Sequence, residues 1–237
     1  MAGHALARRL LIACLVLGVV PDHVSADRLA IFEAIERSPG EACIQCAGKD
    51  LVTCGAGTDC RTHTVEWARN ADFVAIRDLV MCGAPEPTGL IHGLAMPIKR
   101  VEGSEAPHPP PGIWAFAWDV AKLAIGAENE DQIALLVNPC GPRRADGTCS
   151  TRSQDQLHVH IVELVDGARS RFAPGYSVHL ADLNHVWAAA KALAREKDLR
   201  DYGVLVTQTP EGGFTLLVTD GDRWHSPEGL YTRYRCQ

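Results

Sequence analysis

The chain has 237 residues and a net charge of −6 at neutral pH, with 46% hydrophobic and 22% charged residues. This balance is typical of globular proteins and excludes a chain that is disordered over most of its length. A net acidic chain has no general electrostatic attraction for nucleic acid, so we expect no nucleic-acid partner.

The first 26 residues have the layout of a secretory signal peptide. Arg8 and Arg9 precede the apolar run LLIACLVLGVV at 10–20, and small residues end at Ala26, where cleavage is expected. The run is shorter than the roughly 20 apolar residues of a membrane-spanning helix. The alternatives are an uncleaved N-terminal anchor and, less favoured, a lipoprotein cleavage site at Cys14. We expect an exported protein, either periplasmic or membrane-associated on the outer side of the inner membrane.

Eight of the nine cysteines follow this leader, and an even number in an exported protein predicts disulfides. A bridge between Cys140 and Cys149 would close one local loop. Four others fall between Cys43 and Cys60, so residues 27–64 are predicted to form a Cys-rich N-terminal extension. A zinc site built from these four is the less favoured alternative. The eight are Cys43, Cys46, Cys54, Cys60, Cys82, Cys140, Cys149 and Cys236.

Hydrophobic periodicity and turn residues predict an α+β fold, with helices packed on an antiparallel sheet and with a C-terminal helix and β-hairpin. Residues 65–237 are predicted to form this domain, with an irregular segment at 165–182. The predicted helices are at 27–37, 113–125 and 183–197. The predicted strands are at 72–78 after a turn, at 89–101, 132–138 and 153–164, and in a hairpin at 202–208 and 212–220.

The stretch SQDQLHVHIVEL at 153–164 places Gln156, His158 and His160 on one face of a strand, because side chains alternate along it. Two buried histidines held by hydrogen bonds are the plain interpretation. A His-x-His pair can also bind zinc or iron, but Glu163 would point to the opposite face, and the sequence pattern identifies no third ligand. A nucleophilic imidazole needs only a partner that fixes its tautomer and donors for phosphate oxygens. We favour this last interpretation.

The strand ending at Asn138, the polar loop after it and the run Ser153-x4-His158-x-His160 resemble the histidine-triad superfamily of nucleotide hydrolases and transferases. Within it, the chain most resembles the bacterial CDP-diacylglycerol pyrophosphatase family. LAMPIKRVEGSEAP at 94–107, IWAFAWDVAK at 113–122 and YGVLVTQTPEGGFTLLVT at 202–219 carry this closer likeness, which spans roughly residues 70–237. The resemblance implies a fold like that of the histidine-triad proteins.

The sequence departs from the triad at its first position, which is Gln156 instead of histidine. We prefer the register Gln156–His158–His160, because Ser153 then lies five residues before the central histidine, as the family's phosphate-binding hydroxyl does. The alternative register makes His160 the nucleophile, puts Val162 third and loses the serine spacing. A glutamine can still orient a neighbour through hydrogen bonds.

The resemblance implies hydrolysis of CDP-diacylglycerol to CMP and phosphatidate through a CMP-histidine intermediate, close to a membrane surface. His158 would be the nucleophile, with His160 and Gln156 as the other catalytic positions. Ser153 would bind phosphate oxygens, and Asn138 would hold either the loop or a ribose–phosphate group. Lys99 is a further candidate for binding the pyrophosphate, although a solvated strand end is the favoured interpretation of this residue. No metal or other cofactor is expected. The alternatives are another histidine-triad phosphodiesterase or nucleotidyl transferase, and a non-catalytic binding module.

Overall fold

The computed structural model describes residues 28, 31–33, 44–45, 65–78, 91–103, 106–152, 154–223 and 226–233. The leader predicted at residues 1–26 lies outside these residues, as does most of the extension predicted at 27–64. Ser153, a predicted phosphate ligand, also lies outside them.

The fold is a mixed α+β arrangement with one nine-stranded sheet, in the spatial order β1-β2-β3-β4-β6-β5-β8-β9-β7. Strands β1 and β2 pair in parallel, and the other neighbouring strands of the described sheet pair antiparallel. The predicted class is therefore confirmed. The strands are β1 (Ile44–Gln45), β2 (Val65–Arg69), β3 (Phe73–Arg77), β4 (His92–Pro97), β5 (Ile133–Val137), β6 (Val159–Glu163), β7 (Ser177–Leu180), β8 (Tyr202–Gln208) and β9 (Phe214–Asp220).

Two helices cover one face of the sheet. Helix α1 (Ile113–Ile125) has the predicted bounds, and α2 (Val186–Glu196) lies within the predicted span of 183–197. Helix α1 buries an apolar side against the central strands β4, β5 and β6, and α2 does so against β9 and β7 at one end of the sheet. Together these contacts form the larger core. Its buried members include Trp114, Val120, Val159, Ile161, Val186, Leu193, Val204 and Val218.

Strand β2 corrects the prediction of a turn before the strand at 72–78. Residues Val65–Arg69 pair with β3 across a turn in which Asn70 Oδ1 accepts from the amides of Asp72 at 2.9 Å and Phe73 at 2.8 Å. A short polar side chain that bonds to the backbone in this way stabilises tight turns. The hairpin was missed because only the second strand has a continuous apolar run.

Strand β7 corrects the prediction that residues 165–182 are irregular. Its four residues pair with β9 at the edge of the sheet, and none of them is fully buried. A short, half-exposed edge strand has little apolar alternation, so its sequence resembles that of a loop. The C-terminal hairpin of β8 and β9 is confirmed.

The sheet face opposite α1 and α2 carries two smaller apolar clusters. One lies on β3 and β4 and includes Val74 and Leu94, while the other lies on β5, β6, β8 and β9 and includes Leu136. A short helix, α3 (Pro227–Tyr231), contributes Tyr231 to the second cluster. Strands β4 and β6, which are adjacent in the sheet, carry the polar residues of interest on this face.

The predicted disulfide Cys140–Cys149 is present, with Cα atoms 4.6 Å apart. It closes part of the loop between β5 and the histidine strand. Disulfides persist in oxidising compartments, so the bridge favours an exported protein. Among the residues that the structure describes, helices of the length and apolarity required to cross a membrane are absent.

Candidate functional site

Two histidines lie side by side on the sheet face opposite α1 and α2. The ring centroids of His158 and His160 are 4.9 Å apart, and each residue is 7% exposed. His160 lies in β6, whereas His158 immediately precedes Val159, where β6 begins. The regular strand is shorter than the predicted span of 153–164, yet the two imidazoles are neighbours as the alternation predicted.

The side chain of Gln156 is fully buried and binds the backbone of the segment that follows β4. Its Nε2 donates to the carbonyl oxygens of Pro97 and Lys99, both at 3.0 Å. Its Oε1 accepts from the amide of Val101 at 3.1 Å. Both donor hydrogens and the acceptor of the amide are thus used within the protein, so the side chain holds the segment 97–101 in place.

The main chain of Gln156 fixes the orientation of His158. Nδ1 of His158 lies 2.7 Å from the carbonyl oxygen of Gln156, which can only accept, so Nδ1 carries the proton and donates it. The lone pair is therefore on Nε2. Burial, assisted by the neighbouring His160, lowers the pKa of His158 to about 4, so the ring is neutral near pH 7. A neutral ring with its lone pair on Nε2 is the form that can attack phosphorus.

Glu228 connects His160 to the rest of the site, and the sequence reasoning did not single it out. Its Oε1 lies 3.3 Å from Nδ1 of His160, while Nε2 of His160 has no hydrogen-bond partner among the described residues. Burial alone would raise the pKa of Glu228. The charge of His160 and the hydrogen bonds from His160 and His92 outweigh burial, and the pKa of the carboxyl lies well below its usual range.

His92 is the second residue of the site that the sequence pattern does not single out. Its Nε2 lies 2.8 Å from Oε1 of Glu228, and its Nδ1 is 3.0 Å from Oδ2 of Asp78. The latter is a close ion-pair contact, although it is not a well-aligned hydrogen bond. Burial opposes a charge on the ring, but the two carboxylates raise the pKa of His92 to about 9.

The strand register explains how His92 reaches the histidine pair. Leu94 lies opposite His160 in the β4–β6 ladder, and His92 lies opposite Val162. His92 is two residues from Leu94, so it shares the face of His160 and is its diagonal neighbour. The two rings meet edge to face, with centroids 5.2 Å apart. The pairing of β4 with β6 would have revealed this contact, but the sequence alone does not give that pairing.

Asn138, a predicted phosphate-binding residue, is buried just after β5. Its Nδ2 donates to Oε2 of Glu228 at 2.7 Å, and its Oδ1 accepts from Oγ of Ser226 at 2.5 Å. The structure therefore brings Asn138 into the same cluster as His160. Its side chain supports the carboxylate of Glu228, and both of its polar atoms already have partners within the protein.

Lys99 is exposed, and its carbonyl group accepts a hydrogen bond from Gln156. No hydrogen bond or ion pair of its side chain links it to the histidines within the described part of the chain. Its role in binding phosphate stays a prediction, and so does that of Ser153.

A surface cleft of about 330 Å³ lies beside the disulfide loop. Arg28 crosses it to Asp155, with Nη2 to Oδ1 at 2.6 Å. The cleft combines three arginines with three carboxylates, so it does not present a strongly basic surface to a pyrophosphate. The charged residues that line it are Arg28, Glu102, Arg143, Asp146, Arg152 and Asp155.

The cluster around His160 also contains atoms of the types that bind metal ions. Asp78, His92 and His160 place ligand atoms within 4.8 Å of one another. Oε1 of Glu228 lies close to both imidazoles of this group.

No protein-family model matches the chain, and no curated protein sequence matches it at a significant level. The resemblance to CDP-diacylglycerol pyrophosphatases therefore rests on the sequence motifs quoted above.

Proposed function

We propose that this protein hydrolyses CDP-diacylglycerol to CMP and phosphatidate, with His158 as the nucleophile. One observation carries the proposal: Nδ1 of His158 donates to the carbonyl oxygen of Gln156, which leaves the lone pair on Nε2 of a neutral ring. A hydrogen bond that fixes the tautomer is what a nucleophilic imidazole requires. The motif around Ser153, His158 and His160 suggests the substrate class.

The reaction has two displacements at one phosphorus. Nε2 of His158 attacks the cytidylyl phosphorus, the bond to the phosphatidate oxygen breaks, and phosphatidate leaves with the bonding electron pair. The ring then bears a positive charge, which the carbonyl oxygen of Gln156 stabilises through Nδ1–H. Water next attacks the same phosphorus, the phosphorus–nitrogen bond breaks, and CMP leaves with one proton released.

His160 is the residue best placed to assist this reaction. Its ring adjoins that of His158, its Nδ1 faces the carboxylate of Glu228, and its Nε2 is buried without a partner among the described residues. A buried polar atom without a partner is costly, and an oxygen of the transferring phosphate would satisfy it when Nε2 carries a proton. Gln156 is a positioning residue, because its side chain binds backbone groups and its carbonyl oxygen orients His158.

The scaffold and location are consistent with this activity. The mixed sheet, with His160 on a central strand and His158 just before it, agrees with a histidine-triad type of fold, and the disulfide agrees with a periplasmic location. We place the protein at the outer surface of the inner membrane, where a lipid substrate is present. Ser153, with neighbouring amides of its loop, would hold phosphate oxygens, and Lys99 would attract the pyrophosphate.

The test is turnover of CDP-diacylglycerol in mixed detergent micelles, with CMP and phosphatidate measured separately. His158→Ala should abolish turnover and keep the fold, whereas His179→Ala, a change at an exposed histidine of β7, should leave the rate unchanged. A CMP adduct that is acid-labile and alkali-stable should be trapped on the wild type and on His179→Ala, and not on His158→Ala. Full turnover by folded His158→Ala would refute the assignment of the nucleophile.

The same assay separates the alternatives. Transfer of the CMP group to an added alcohol faster than to water would indicate a nucleotidyl transferase. Cleavage of other nucleotide diesters with CDP-diacylglycerol untouched would indicate a phosphodiesterase. Binding of CDP-diacylglycerol without any product would indicate a binding module.

A further inference from the structure

We propose that Glu228, His92 and His160 form a binding site for a divalent transition-metal ion. Oε1 of Glu228 lies 2.8 Å from Nε2 of His92 and 3.3 Å from Nδ1 of His160, and the two nitrogens are 3.5 Å apart. These three atoms come from different elements, β4, β6 and α3, and meet on the sheet face opposite α1 and α2.

The spacing of the three atoms suits a metal. A point in their plane lies about 1.9 Å from each, so an ion slightly out of the plane would be about 2.0–2.2 Å from all three. That distance is the usual one for zinc bound to imidazole nitrogen and carboxylate oxygen. The 3.5 Å between Nε2 of His92 and Nδ1 of His160 is longer than a good hydrogen bond, whereas it is normal for two ligands of one ion.

The ligand types narrow the identity of the ion. Two imidazoles and one carboxylate suit zinc or ferrous iron, whereas magnesium and calcium prefer oxygen ligands. Three protein ligands leave at least one coordination position for water or a substrate oxygen, which is typical of catalytic metal sites.

The neighbours of the ligands resemble the supporting residues of metal sites. Asp78 contacts Nδ1 of His92, on the side of the ring away from Glu228, and Asn138 binds the second oxygen of Glu228. Such partners orient the ligating atoms, and their loss typically weakens metal affinity about 10–100-fold. Asp78 and Glu228 place two largely buried carboxylates beside these imidazoles, which favours a cation over an anion at this place.

The site adjoins the proposed nucleophile without depending on it. A metal at Nδ1 of His160 leaves the proton on Nε2 of that ring, which makes Nε2 a donor beside His158. The metal would thereby set the tautomer that a phosphate oxygen needs. The metal site is measured by binding and the nucleophile by its adduct, so either can fail alone.

The experiment is equilibrium dialysis of the oxidised, folded full chain against zinc, with bound metal counted by mass spectrometry. Wild type should bind one ion that is lost in His92→Ala and in His160→Ala, while His179→Ala should keep it. Asp78→Asn should weaken affinity about 10–100-fold, and Glu228→Gln should weaken it more because an anionic ligand is lost. Circular dichroism checks the fold, and Glu228→Gln keeps the side-chain shape if His92→Ala does not fold.

Cobalt distinguishes this site from zinc bound by cysteines. The cobalt form of the wild type should show visible bands of a nitrogen- and oxygen-ligated ion, without the near-ultraviolet absorption of a thiolate ligand. Loss of those bands in Glu228→Gln and their retention in His179→Ala would support the proposal. Zinc binding that is absent in the wild type, unchanged in Glu228→Gln, or thiolate-like in the cobalt spectrum would overturn it.

Discussion

Replacing Gln156 by glutamate keeps the size of the side chain but removes both of its N–H donors. The carbonyl oxygens of Pro97 and Lys99, each 3.0 Å from Nε2 of Gln156, would then face a carboxylate. The amide of Val101 would keep its acceptor. The introduced carboxylate, buried as fully as the side chain of Gln156 is, would thus face two carbonyl oxygens without a hydrogen to donate to either.

The magnitude follows from these two lost bonds. A buried carbonyl without a partner costs about 1–3 kcal/mol, with Pro97 near the upper end because it is buried and Lys99 near the lower end because it is exposed. The desolvation of a carboxylate adds to this, so we expect Gln156→Glu to lower the free energy of unfolding by about 3 kcal/mol or more at pH 7.

Urea unfolding of Gln156→Glu and of Gln132→Glu, a matched change at an exposed residue, measures this difference. Burial raises the folded pKa of the introduced carboxyl above its unfolded value. The loss should therefore be smallest below the unfolded value of about 4.3 and should grow as pH rises through the folded pKa. A loss below about 1 kcal/mol at pH 7, or one equal to that of Gln132→Glu, would refute the role assigned to this side chain.

Two further changes test other parts of the fold. Asp155→Asn removes the ion pair with Arg28, and because the pair is partly exposed we expect a loss of about 0.5–1 kcal/mol at pH 7. Arg28 lowers the pKa of Asp155 in the folded protein. Urea unfolding should therefore show the wild type as more stable than Asp155→Asn above the unfolded pKa of Asp155, and this difference should disappear as pH falls through the folded pKa. A difference in stability that does not change with pH would contradict the ion pair. Replacing both Cys140 and Cys149 by alanine opens the loop between them, which has a sequence separation of 9. We expect this double change to lower the free energy of unfolding by about 2.5 kcal/mol, measured by thermal unfolding. An unchanged melting temperature would contradict this expectation.

The sequence predicted the elements that have strong patterns. The apolar residues of α1 recur at helical spacing, and the two strands of the C-terminal hairpin are continuous apolar runs on either side of a turn, so the sequence identifies all three elements. Strand β7 has no such pattern, since it lies at the sheet edge and is half-exposed. Local apolar patterns therefore identify well-buried elements and miss a half-exposed strand that is held mainly by its partner strand.

The candidate site shows the same limit. His158 and His160 were predicted to be neighbours because two residues on one strand are related by local geometry alone. Glu228 follows 68 positions after His160 in the chain and approaches it only when α3 packs on the sheet. His92 required the strand pairing of β4 with β6. Side chains that come together only through contacts between distant parts of the chain have no regular spacing by which a single sequence could reveal them.

The position of Glu228 on the short helix α3 has a consequence for how the protein matures. The imidazoles that Glu228 contacts, those of His92 and His160, belong to strands that are synthesised well before it. The cluster of these three residues therefore remains incomplete until α3, the last described helix, packs on the sheet. A chain interrupted just before Ser226 would contain every described strand but lack the acidic group that links its two histidine strands. Completion of the cluster could therefore be followed in time as a marker for the final stage of folding, separate from formation of the sheet.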